Sequence, residues 1–148
     1  MPRPAPVHTM ETGLVDVLNG QFLNGLSVHE VDKLQLRVLS ILDNLNRLFN
    51  TRRGAIDHLP DYGLPDITQV YRDLPYSVEG LRQSIKAAIE RYEPRLRRVR
   101  VEHEKGDPYA MRITFLLSAE MMRGQKVQFQ TTFASHELAE VRQWRRAT

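Results

Sequence analysis

The strongest pattern in the chain is a run of apolar residues at steps of three and four. Val31, Leu34, Val38, Leu42, Leu45 and Phe49 form one stripe, and Ile41 and Leu48 widen it. That spacing is one face of a helix. Ser27 followed by Glu30 makes a capping box at the start. Arg52, Arg53 and Gly54 suit the other end. The pattern predicts a helix over residues 28–50, roughly 34 Å long at ~1.5 Å per residue. A shorter amphipathic pattern precedes it, with Leu14, Val15, Val17, Leu18 and Phe22, and ends at Asn24-Gly25. After it, residues 55–66 read as a loop that packs down through Ile56, Leu59, Tyr62 and Leu64. Asp66 caps a short helix through Tyr71. Pro75 interrupts, and Ser77 caps the next helix, whose face carries Val78, Leu81, Ile85, Ala88, Ile89 and Tyr92. Pro94 restrains Glu93 to an extended backbone, so this helix stops near Tyr92.

The period then changes from 3.6 to 2. Val99 and Val101 alternate with Arg98, Arg100 and Glu102. Gly106-Asp107-Pro108 turns the chain, and Met111, Ile113, Phe115 and Leu117 alternate with Arg112, Thr114 and Leu116. Arg123-Gly124 turns it again before Val127, Phe129, Thr131 and Phe133. Three strands joined by tight turns make an antiparallel meander. The tail has two readings. Ser135 can cap a short helix, or Ala139, Val141 and Gln143 share one face of a fourth strand. Helices first and strands second predict an α+β fold, with N-terminal helices packed on one face of a small, mainly antiparallel C-terminal sheet of three to four strands.

Length is consistent with this picture. A chain of 148 residues is one domain large enough for a core without staples. Residues 1–12, with three prolines in the first six, read as an extended arm, and residues 13–148 as the single domain. Neither a signal-peptide core nor a run of the ~20 apolar residues that a membrane span needs is visible, so the expected location is cytoplasmic. The chain has no cysteine. That excludes disulfides, thiolate metal sites and a cysteine nucleophile. The net charge of +3 is too small to demand nucleic acid. The bases are mostly arginine, 17 against 4 lysines. Arginine suits interface pairing with carboxylates, although genomic codon bias produces the same count.

Catalytic chemistry has little support. The five histidines share no helix turn or strand face, so no metal site or cofactor is implied. There is no Gly-rich phosphate loop and no Gly-x-Ser-x-Gly elbow. A glycosidase needs two carboxylates at a fixed separation. Glu93 is one candidate, with Asp57, Asp61 or Asp66 as its mate, but 18 acids supply many such pairs. Arg95, Arg97, Arg98 and Arg100 form a basic strip that reads either as a nucleic-acid contact or as a solvated strand face. No aromatic is interleaved there.

The ordered set "LFNTRRG" (48–54), "DYGLPDI" (61–67), "YEPRL" (92–96) and "VQFQTTF" (127–133) resembles the TssE family of type VI secretion baseplate subunits. That family is related to the phage baseplate wedge protein once labelled lysozyme-like. The resemblance covers roughly residues 14–145. It implies a non-enzymatic structural subunit that joins a wedge with TssF, TssG and TssK. Such wedges surround the VgrG hub and prime polymerisation of the TssB–TssC sheath, in a cytoplasmic baseplate docked at the inner membrane complex. No cofactor is implied. The alternative is a peptidoglycan-cleaving, lysozyme-like enzyme. The family's Glu-Pro-Arg falls on Glu93, Pro94 and Arg95 and implies a wedge contact, with both charges expected at an exposed junction. By resemblance to strand exchange in the sheath, the tail residues Leu138, Glu140, Val141, Arg142 and Trp144 are expected to form a free-edged fourth strand that meets the sheath.

Overall fold

The computed structural model describes residues 28–106, 111–135 and 137–144. Three helices come first: α1 (Val28–Phe49), α2 (Ile67–Arg72) and α3 (Ser77–Tyr92). Four strands follow: β1 (Arg97–Glu104), β2 (Arg112–Glu120), β3 (Lys126–Ala134) and β4 (Glu140–Gln143). The sheet order is β1-β2-β3-β4, and every neighbouring pair is antiparallel. The expected α+β fold is therefore present, with the full four strands. The extended arm, the short helix near residues 14–22 and the Ser27–Glu30 box lie outside the residues whose side chains are described.

The sheet's alternation assigns its faces. Ile113, Phe115, Leu117, Val127, Phe129, Phe133 and Val141 point into the core, against α1 and α3. Phe133 packs on both Phe49 of α1 and Phe115 of β2, each at 6.1 Å between ring centroids. The opposite face carries partly exposed Thr114, Ser118, Gln128, Gln130 and Thr132. One face is thus oily and the other wet, as an antiparallel sheet permits.

The stripe of α1 is rotated from its expected axis. Val38, Ile41, Leu45 and Leu48 are completely buried, whereas Leu42 is only partly buried. Helix α1 meets both α3 and β4, so the arc it buries is wide and its centre shifts toward Ile41 and Leu48.

The loop after α1 packs down as its apolar residues suggested. Arg52 bridges to Leu64, and Leu64 itself is buried. Gly63 sits at φ 114° with its would-be Cβ 2.2 Å from the Thr51 carbonyl oxygen, so no other residue fits there. Asp66 caps α2 by accepting from the Thr68 N–H at 2.9 Å. The Tyr71 hydroxyl then ties α2 to the sheet, sharing its hydrogen between the carbonyls of Met111 and Phe133. Ser77 does not cap α3. It is the first helical residue, and its hydroxyl donates to the Val70 carbonyl instead.

Candidate functional site

Helix α3 ends at Tyr92, as Pro94 requires, and the next residue turns inward. Glu93 is 0% exposed. This overturns the expectation of an exposed charged junction. Its backbone N–H closes the helix on Ile89, and its own carbonyl accepts from Leu96. The two-residue step to Arg95 then folds the guanidinium back over the carboxylate. Arg95 Nε donates to Glu93 Oε1 and Arg95 Nη2 to Glu93 Oε2, both at 2.7 Å. This is the bidentate fork that suits a planar carboxylate. The Arg95 backbone N–H adds a third bond to Oε1 at 3.1 Å.

Helix α1 supplies the rest. Asn44 Nδ2 donates to Glu93 Oε2 at 2.8 Å and to the Tyr92 carbonyl at 3.2 Å. Arg95 Nη1 donates to Ser40 Oγ at 2.8 Å. One acid therefore ties α1, the end of α3 and the start of β1 together. Burial pushes the Glu93 carboxyl up. The hydrogen bonds from the Arg95 guanidinium, the Asn44 amide and the Arg95 backbone outweigh it, and the net effect holds the carboxyl below its usual range. The same pairing raises Arg95. Only the outer side of this knot meets solvent: Pro94 is exposed, and about a third of Arg95 (35%) is exposed.

A general acid needs a carboxyl held neutral, with a raised pKa and a free proton. Glu93 is the opposite: ionised, lowered and bonded at both oxygens. Two of its three suggested mates are occupied otherwise, since Asp61 faces Arg91 at 3.5 Å and Asp66 caps α2. Asp57 is exposed in the loop. Among the described residues no group of His, Asp or Glu side chains could hold a metal ion.

The tail forms the fourth strand, not a helix. Thr131 pairs with Val141 and Phe129 with Gln143. The outer edge of β4 is not free. The Val141 N–H donates to Asn46 Oδ1 at 3.0 Å, while Asn50 both accepts from the Ala139 N–H and donates to the Ala139 carbonyl. Val141 itself points into the core. What β4 and its flanks show to solvent is Leu138, which is 80% exposed, the Glu140–Arg142 pair at 2.7 Å, and part of Trp144.

The sequence pattern had singled out neither Asn44 nor the Asn46–Asn50 clamp. A signal was there. Asparagine is a poor helix former, yet Asn44 and Asn46 sit in the last two turns of an otherwise strong helix, and Asn50 follows four residues after Asn46, directly past its end.

Residues 37–126 match the family described as Baseplate wedge protein gp25. No curated protein matches the chain. Among solved structures, a chain of "The baseplate complex from the type VI secretion system" is 28% identical with a TM-score of 0.57. That match covers 78% of this chain and 99% of the other. A protein of Geobacter sulfurreducens, provisionally described as a tail lysozyme, is 14% identical with a TM-score of 0.50. It covers 76% of this chain and 95% of its own, and at that identity it shows the fold alone.

Proposed function

The chain belongs to the baseplate wedge protein gp25 family, and from that premise we propose that it is a non-catalytic structural subunit of a type VI secretion baseplate. The observation that carries this reading is the saturated Glu93 carboxylate. It is built to hold three elements in one arrangement and has no proton to give. The near-complete coverage of the type VI baseplate chain supports the system named here. Among the described residues no helix is long and apolar enough to cross a membrane. A cytoplasmic baseplate docked on the inner membrane complex accords with that.

In this reading the Glu93–Pro94–Arg95 knot shapes the wedge contact with TssF, TssG and TssK. Buried Glu93 positions; exposed Pro94 and the outer side of Arg95 touch. The exposed tail residues Leu138, Glu140 and Arg142, with the partly exposed Trp144, form the face toward the TssB–TssC sheath, while Val141 anchors the strand from within. The VgrG hub lies inside the ring of wedges.

The test separates contact from folding. Pro94→Glu puts a charge on the exposed side of the junction, and Pro94→Ala controls for the backbone restraint that both variants lose. Pro94→Glu should melt near Pro94→Ala, while its copurification with TssF–TssG should fall at least tenfold below that control. Unchanged copurification would remove the wedge role from this junction. Saturable peptidoglycan cleavage by the pure protein, abolished by Glu93→Gln, would replace the structural reading with the enzymatic one.

A further inference from the structure

The strip beginning at Arg97 is not absorbed by the wedge junction, and its geometry is unlike that of a plain solvated strand. The β1–β2 register shifts between Arg97 and Arg100. At the shift Arg98 adopts φ 52°, a left-handed conformation that a side chain with a Cβ resists. A bulge of this kind re-aims side chains and is kept where their direction matters. Here it turns Arg98 outward, 82% exposed, with only a loose 3.6 Å approach to Glu120. Arg97 is steered by a 2.7 Å bond to the Met122 carbonyl in the β2–β3 turn.

The antiparallel register brings more bases to the same end. Arg97 faces Glu120, and Glu120 faces Lys126. Arg100 lies one step along, 3.4 Å from Glu102, and Arg123 sits in the adjoining turn. Leaving Arg123 aside, four bases (Arg97, Arg98, Arg100 and Lys126) stand against the two carboxylates Glu120 and Glu102, a local excess of positive charge. Met122, 68% exposed, adds an apolar spot beside it.

We propose that this end of the sheet is a docking surface for an acidic segment of a partner protein. Charge complementarity selects the occupant. Arginine forks bind carboxylates bidentately, and Arg98 and Arg100, held only by single approaches of 3.6 and 3.4 Å to Glu120 and Glu102, keep that capacity. Nucleic acid is disfavoured because β1 carries no Phe, Tyr or Trp on which bases would stack, and its one ring, His103, packs against Phe115. Nucleic acid is therefore the outcome to be tested against. The inference does not depend on the wedge reading, because its test uses the isolated full chain.

The probes are a labelled dodecapeptide rich in Glu and Asp and a labelled single-stranded DNA of equal charge, titrated by fluorescence anisotropy at physiological salt. The peptide should bind saturably and more tightly than the DNA. Arg98→Glu with Arg100→Glu should weaken it at least tenfold. The same charge change on α1, Arg37→Glu with Arg47→Glu, should weaken it less than twofold. A second variant guards against misfolding: Arg98→Gly relieves the left-handed backbone, so it should melt higher and still lose affinity. Tighter binding of the DNA, equal weakening by both double reversals, unchanged affinity in Arg98→Gly, or no saturable peptide binding below millimolar concentration would each overturn the proposal.

Discussion

Two arginines two residues apart have opposite fates. Arg95 is locked onto a buried acid by two side-chain bonds of 2.7 Å, with Ser40 as a further acceptor. Arg97 and its neighbours Arg98 and Arg100 are exposed, with partners that are loose or mainly backbone. The residue type is the same and the local sequence is continuous. What differs is the partner's burial. A carboxylate removed from water demands full compensation, so it captures the nearest guanidinium and makes it structural. A carboxylate on the surface, such as Glu102, already has water and holds its arginine weakly. The first half of "RYEPRLRRVRV" is thus a rivet, and the second half is free to be read by another molecule.

The largest test of this contrast removes the rivet's guanidinium. Arg95→Met keeps the apolar stem but strands Glu93 in the core. It should cost about 3–5 kcal/mol in urea denaturation at neutral pH. Glu93→Gln should cost less, because the partly exposed Arg95 can turn to water. Equal costs would mean that the pair behaves like a surface contact.

The next effect is in pH. Glu93 has its carboxyl lowered on folding, from an ordinary value of 4.5. The stability it contributes is therefore complete above that ordinary value and is lost as pH falls through the lower folded one. Wild type should lose stability over that acid range more steeply than Glu93→Gln does. In Arg95→Met the dependence should reverse in part, since the stranded acid gains by protonation. Parallel pH curves for wild type and Glu93→Gln would deny the linkage.

On the exposed side the expected changes are small. Arg98→Gly should raise stability by about 0.5–1 kcal/mol, because glycine accepts φ 52° without a Cβ clash. Smallest of all, Arg100→Ala should stay within about 0.5 kcal/mol of wild type. A loss of several kcal/mol at Arg100 would erase the distinction between the two halves.

The parts legible in the sequence are those set by local rules. Pro94 ends α3 because of sterics between neighbours, and the strands declare themselves by alternation. The α1 stripe was legible as a face but not as an axis, since Leu42 and Ile41 are both apolar and only the packing of α3 and β4 chooses between them. The burial of Glu93 was not legible. It depends on Asn44, which is 49 positions away in sequence. Likewise the edge of β4 looked bare because nothing near residue 141 announces that Asn46 will reach it from 95 positions upstream.

That asparagine clamp changes how many ways the sheet can grow. Asn46 and Asn50 present to β4 an amide oxygen and an amide hydrogen, the same pair of groups that a neighbouring strand would offer. Helix α1 thereby imitates the next strand and closes that side. At the other side β1 pairs with no further strand among the described residues, and only Arg82, reaching the Val101 carbonyl at 3.3 Å, guards it. In the language of polymers the sheet of the described residues has a valence of one. A body with two open edges can propagate into a fibre; a body with one can accept a single strand and then terminate. Stripping the clamp, as in Asn46→Ala with Asn50→Ala, would raise that valence to two and turn a chain terminator into a monomer capable of extension.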